Sequence, residues 1–192
     1  PCARKRNRPA EQLAQPVALG RDVFTQGRVS GANITLAGQI LADYADKLRE
    51  YGIEDGYKAV ATSAVREAAN RDLFINRVAS ISGIKLEMLE DMQEIRLMYL
   101  AVKQAVSKAL DLKNHQLLLC NIGTGSSQLA FLENGRLTSG ESIRLGTLRM
   151  LEVLGGTNET PGRIREIVDP FVSTIIRWVA RITVPVRSDS FV

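Results

Sequence analysis

Between Asn33 and Tyr51 the apolar residues Ile34, Leu36, Ala37, Ile40, Leu41, Tyr44, Ala45 and Leu48 recur at helical spacing, and Gly52 then supplies a left-handed stop. The short apolar run Tyr57 to Thr62 suits a buried strand. Ser63 follows, then the helix-forming Ala64 to Ala69, and Asn70 is placed to cap a further helix over Arg71 to Ile81. Lys85 to Leu89 alternates as a strand does, and Asp91 to Leu110 sets Ile95, Met98, Tyr99, Val102 and Val106 on one face of a long helix. The order is strand, helix, strand, helix.

Around Asp111 to His115 the chain turns polar, which places a domain boundary or hinge there, with His115 as solvated surface. Gln116 to Asn121 begins again as a buried strand, and Cys120 within it is assigned to core packing. Asn134-Gly135 signals a type I′ hairpin between Gln128 to Glu133 and Arg136 to Ile143, so this half opens as an antiparallel meander. After Gly146 a helix runs through Leu148, Met150, Leu151 and Leu154 to Gly155-Gly156. From Arg163 onward Ile164, Ile167, Val168, Phe171, Val172, Ile175, Ile176 and Val179 draw a wide apolar stripe, with Pro170 as a kink point. Val184 to Val192 reads as a strand cut short, and residues 1–15, basic and aperiodic, as a disordered lead-in that carries no site.

A length of 192 residues allows one ordinary domain or two small ones, and 45% hydrophobic with 24% charged residues is globular composition. No run of 18 apolar residues occurs and no apolar signal region follows the basic start, which points to a soluble, cytoplasmic protein and away from a membrane partner. Cys2 and Cys120 suggest neither a disulfide framework nor a zinc site. Arg4, Lys5, Arg6 and Arg8 account for the whole net charge of +4, so the body is balanced. Without a domain-wide basic footprint or a base-stacking platform, duplex nucleic acid is not the expected partner; an anionic small ligand or polyanion fits better.

Gly123-Thr124-Gly125-Ser126-Ser127 follows an apolar strand. Glycines at alternate positions let backbone N–H groups approach an anion, and the hydroxyls add donors. A tight hairpin turn explains the glycine pair equally well. A dinucleotide fingerprint is disfavoured, because Gln128 replaces the third glycine and a strand follows, and no Gly-Lys-Ser/Thr of a Walker loop is present. In Ala61 to Glu67 a strand ends in hydroxyls where a helix begins, gathering N–H groups and Arg66 at one corner. The plainer reading is a helix cap, with Arg66 paired to solvent or to Glu67. Glu90, Asp91 and Glu94 crowd the start of the long helix, where negative charge suits the macrodipole.

Five segments in order resemble the exopolyphosphatase and guanosine pentaphosphate phosphohydrolase family: Leu19-Gly20 with Gly27-Arg28-Val29-Ser30, then Ala59 to Asn70, Gln93 to Leu97, Asn121 to Leu129, and Ser142 to Gly146. The resemblance implies an α/β fold of the actin-like ATPase (sugar kinase-like) superfamily, with two ribonuclease H-like mixed-sheet domains closing on a phosphate chain. It further implies that Glu94 orients or deprotonates the attacking water, that Ser63 and Arg66 contact the phosphate chain, and that Gly123, Thr124, Gly125, Ser126 and Ser127 form a second cradle. The expected activity of the full-length parent is hydrolysis of terminal phosphoanhydride bonds in inorganic polyphosphate or guanosine pentaphosphate, the alternative being a non-catalytic binder that senses either ligand.

The chain departs from the family pattern at the second loop. An Asp and a Glu associated with magnesium in the family are here Asn121 and Gln128. Mg²⁺ prefers carboxylate oxygens, so its binding is expected to weaken. The resemblance also implies that residues 16–113 are a first domain lacking its opening phosphate-loop hairpin and that 114–192 begin a second. Open sheet edges left in such a piece favour self-pairing, so a homodimer is a candidate assembly.

Overall fold

A computed structural model describes residues 12–106, 112–153 and 161–183. In chain order they form α1 (Leu19–Gln26), α2 (Gly31–Glu50), β1 (Ala59–Ala61), α3 (Ser63–Glu67), α4 (Arg71–Ser82), β2 (Leu86–Met88) and α5 (Asp91–Val106). A 3₁₀ turn (Leu112–Asn114) leads into β3 (Gln116–Ile122), β4 (Ser127–Glu133), β5 (Arg136–Ile143), α6 (Thr147–Val153) and α7 (Pro161–Thr183). The parts of the expected elements at 1–11, 107–111, 154–160 and 184–192, among them the terminal strand and most of the lead-in, lie outside the described residues.

β1 and β2 pair in parallel, Ala59 opposite Leu86, with α3 and α4 in the crossover. Val23, Val29, Ile34, Ala37, Val65, Phe74 and Val78 form the core beneath them. Gly38 lets α2 and α4 approach closely: a Cβ there would lie 2.7 Å from Ile81 Cδ1.

α2 begins two residues earlier than the apolar spacing suggests, because Ser30 is an N-cap whose Oγ accepts from Asn33 N at 3.3 Å. Asp22 steadies this cap by accepting from Ser30 N (2.8 Å) and Asn33 Nδ2 (2.7 Å). Burial alone would raise the Asp22 pKa, but hydrogen bonds from the Ser30 and Asn33 side chains and the Ser30 backbone outweigh it and leave the carboxyl below its usual value. A depressed folded-state pKa contributes stability above the unfolded value of about 3.9 and loses it as pH falls through the folded value. Asp22→Asn is therefore expected to lower the melting temperature at neutral pH, with the gap closing as pH falls through the depressed folded-state value; thermal melts across pH read this, and a pH-independent gap contradicts it.

Asn70 does not cap α4 with its side chain. Val29 N donates to its Oδ1 (2.9 Å) and its Nδ2 donates to Val29 O (2.8 Å). The two amide ends match a free backbone N–H and C=O beyond α1, which the helix start, a local feature, could not compete with.

The second sheet is an antiparallel meander, β3-β4-β5. Asn134 (φ 52°) and Gly135 (φ 72°) take the left-handed conformations that a type I′ turn requires. The alternation of β4 divides its side chains between two helices. Ala130 and Leu132 meet Ile95 of α5, whereas Leu129 and Phe131 meet Trp178 of α7. α7 starts with proline at its first position, which the missing N–H tolerates, and continues through Pro170.

β3 is not the buried strand that its apolar run suggested. It is the sheet edge: Leu117 and Leu119 face α5, but Leu118 is 45% exposed. Cys120 is likewise exposed rather than core. The cause is neighbourhood, since α7 covers β4 and β5 on that face and Leu118 and Cys120 are absent from its cluster. Among the described residues no helix is long and apolar enough to cross a membrane.

Candidate active site

The crossover places Arg66 on the last turn of α3, facing the start of α5, because Leu89 N hydrogen-bonds to Ala61 O and holds the end of β2 against the end of β1. Arg66 Nη1 donates to Leu89 O (2.5 Å) and Glu94 Oε2 (3.0 Å), and Nη2 donates to Asp91 Oδ1 (2.5 Å). Its partners are thus two carboxylates of α5 and the Leu89 carbonyl, and not Glu67. The side chains of Arg66 and Glu94 are only 11% and 15% exposed, so the charges are shielded from water and held firmly. Ser142 Oγ of β5 donates to Asp91 Oδ1 at 3.0 Å, tying the second sheet to the same cluster.

The loop between β3 and β4 gets its shape from α6. Gly123 O accepts from Thr147 N (2.9 Å), Thr124 O from Leu148 N (3.0 Å) and Arg149 N (3.1 Å), and Gly125 O from Arg149 Nε (2.8 Å). The Gly123 and Thr124 carbonyls therefore consume three of the amides that the start of a helix leaves unpaired, and the Gly125 carbonyl takes the Arg149 side chain. In a trans peptide the N–H points opposite to the C=O. The N–H groups of Thr124, Gly125 and Ser126 consequently face away from α6, and they make no hydrogen bond among the described residues. Gly125 allows the loop to touch α3, since a Cβ there would lie 2.7 Å from Ser63 Oγ and 2.4 Å from Phe24 Cζ. The two motifs thus meet at Ser63 and Gly125.

Arg149 locks this meeting. Its Nη2 donates to both carboxylate oxygens of Glu67 (2.7 and 2.8 Å), and its guanidinium carbon stands 4.2 Å from the Phe24 ring centroid. One side chain so joins the loop, α3 and α1.

The space between these parts is a cleft of about 400 Å³ lined by Arg66, Glu67, Arg71, Glu90, Asp91, Ser126, Ser142 and Arg144. Arg71 and Arg144 are 53% and 78% exposed and sit 3.7 and 3.9 Å from Asp72 and Glu67, leaving their charge available at the rim. Glu94 lies behind Arg66 and does not line the cleft. A larger cavity of about 730 Å³ beside α2 is lined mainly by Leu, Ile and Tyr side chains with Lys47 and Lys58. Of the resembling segments its lining includes just Ala59, an apolar strand residue, and none of the candidate site residues, so the smaller polar cleft is the better site.

Asn121 and Gln128 face each other across β3 and β4, and Asn121 Nδ2 donates to Gln128 Oε1 at 2.8 Å. Gln128 Nε2 donates to Ser126 Oγ at 2.9 Å, with Gln128 5% exposed. The positions that would hold magnesium are two neutral amides bonded to each other, and among the described residues no group of three His, Cys, Asp or Glu is arranged to hold a metal. These residues do not fit a magnesium site.

Glu67, Ser142, Arg144, Arg149 and Phe24 were not singled out from sequence. Ser142 and Arg144 were legible as alternate residues on one face of a strand end within a recognised segment. Arg149 carried a fainter sign. It is a cation in the first turn of a helix, where the macrodipole disfavours it, so an acidic partner was needed from elsewhere.

Residues 9–173 match the Ppx/GppA phosphatase family. The chain belongs to this family. It is 25% identical over 178 residues to exopolyphosphatase 2 of Mycobacterium tuberculosis, covering 86% of this chain and 54% of that protein. It is 23% identical over 141 residues to a guanosine-5'-triphosphate,3'-diphosphate pyrophosphatase of Photobacterium profundum, covering 73% and 27%. Among solved structures it resembles an exopolyphosphatase-like protein with a TM-score of 0.71 and 26% identity, covering 83% of this chain and 50% of the other. The fold is the mixed α/β, actin-like ATPase fold of the Ppx/GppA proteins, and the chain spans about half the length of the solved structures it matches.

Proposed function

We propose that in the whole protein this cleft binds the terminal phosphates of inorganic polyphosphate or guanosine pentaphosphate and that the terminal phosphoanhydride is hydrolysed there. The observation that carries the reading is the set of three loop N–H groups turned away from α6 at the point where Gly125 meets Ser63, beside the Arg66 cluster. In the reaction a water oxygen bonds to the terminal phosphorus and the bridging P–O bond breaks, releasing orthophosphate and a chain one phosphate shorter. Loop N–H groups, the Ser63 and Ser126 hydroxyls and the arginines stabilise the transferring phosphoryl. Glu94 is assigned to orient the water and take its proton with the carboxylate oxygen that Arg66 leaves free, which requires Arg66 to move toward the phosphate chain, because Glu94 does not line the cleft as it stands.

Phosphate release from long-chain polyphosphate and from guanosine pentaphosphate, measured on the intact protein, tests this. Glu94→Gln is expected to lower kcat about 100-fold or more. A native rate that survives the change removes Glu94 from the reaction. A second reading, a sensor that binds without turnover, is favoured by the Asn121–Gln128 amide pair. Absence of turnover in the native protein, with turnover restored by Asn121→Asp plus Gln128→Glu, selects the sensor.

A further inference from the structure

Ser126 is 4% exposed yet lines the cleft. Its hydroxyl accepts from Gln128 Nε2, and among the described residues it donates to nothing. Gln128 Oε1 in turn accepts from Asn121 Nδ2. The three groups form a directed chain, Asn121 to Gln128 to Ser126, in which each passes a proton donor forward. A serine hydroxyl has one proton and two lone pairs. With a lone pair committed to the amide behind it, Ser126 offers its proton to the cleft.

A carboxylate at position 128 would reverse this polarity. It has no proton, so it would draw the Ser126 proton to itself and turn the oxygen lone pairs outward, which suits a cation. The amide does the opposite and suits an oxyanion, in a loop whose Thr124 and Gly125 N–H groups are unbonded among the described residues. Replacing two acidic positions with amides also removes the negative charge that would repel a phosphate approaching without its metal.

We infer that Asn121 and Gln128 convert this loop into a metal-independent oxyanion site, which takes up a phosphate chain uncomplexed by a divalent cation through direct donation from Ser126. This deepens the phosphate-chain reading above and rests on it. Ser126 is the contacting group, and Gln128 is a positioning residue that acts through it.

Calorimetric titration of the intact protein with inorganic tripolyphosphate, in EDTA and again with magnesium, tests the inference. Native protein is expected to bind at least as tightly in EDTA. Ser126→Ala and Gln128→Glu are each expected to weaken binding in EDTA about tenfold or more, with the double variant no weaker than Gln128→Glu alone. Asn121→Asp plus Gln128→Glu is expected to bind only when magnesium is present. Native binding that vanishes in EDTA overturns the inference while leaving the phosphate-chain reading intact; absence of binding under both conditions overturns that reading and this one with it. Should buried Gln128→Glu fail to fold by circular dichroism, Ser126→Ala decides alone, and unchanged affinity in EDTA refutes the proposal.

Discussion

Gly146→Ala is expected to abolish tripolyphosphate binding and to destabilise the protein by about 3 kcal/mol, the upper range for forcing a group into well-packed structure. A Cβ at position 146 would lie 2.3 Å from both C and O of Thr124 and 2.5 Å from Gly125 N. These are backbone atoms, so no side-chain rotation relieves the clash. The loop must lift off α6, and the bonds from Thr147, Leu148 and Arg149 to its carbonyls break together. With them goes the orientation of the loop N–H groups and the placing of Ser126 in the cleft wall. Chemical denaturation and tripolyphosphate titration of the variant give the answer. Retention of both native stability and affinity would show that the loop is not seated as described.

The second large effect belongs to Arg66. Arg66→Met keeps the length of the side chain but leaves the carboxylates of Asp91 and Glu94 without their shared cation and removes two donors from a nearly buried cluster. Removing one partner of a buried pair costs about 3–5 kcal/mol; with Asp91 50% exposed, water recovers part of that, so about 2–3 kcal/mol is expected here. Arg66→Lys separates charge from geometry. A single ammonium cannot serve the Leu89 carbonyl, Glu94 and Asp91 in the same planar arrangement, so it is expected to restore part of the stability and little of the phosphate affinity. Full restoration of affinity by lysine would show that Arg66 supplies charge alone.

Local signals in the sequence led to local structure. The apolar stripe of α2 and the Asn134-Gly135 turn are set by residues within a few positions of one another, and both elements are present, α2 with its start two residues earlier at the Ser30 cap. Cys120 illustrates where such signals stop. The run Leu117 to Cys120 specifies a strand, but burial depends on whether a helix from 40 or more residues later covers it, and α7 reaches only β4 and β5. Arg66 shows the same limit in the site, since its partners Asp91 and Glu94 are 25 and 28 residues distant and the nearer Glu67 is taken by Arg149. The sequence predicts a cap at Asn70 because caps are local, whereas its amide pairs with Val29, 41 residues back. The position of the Gly123 to Ser127 loop is readable in the sequence, and the bonding behind it is not: Asn121 and Gln128 read as a weakened metal site, whereas the fold bonds them to each other and Gln128 to Ser126.

The seating of the loop on α6 also bears on how far the motif can travel. Gly123 to Ser127 is shaped only in part by its own turn, in which Gly123 N donates to Ser126 O: the Gly123 and Thr124 carbonyls are taken by the first turn of α6, and Gly125 packs against Ser63 and Phe24, 62 and 101 residues upstream of it. Grafted into another hairpin as five residues, it would arrive without the scaffold that aims it. A transplant that works must carry α6 with Arg149, Glu67 to receive it and an aromatic face to stack on, which makes the smallest portable unit a composite of three distant segments.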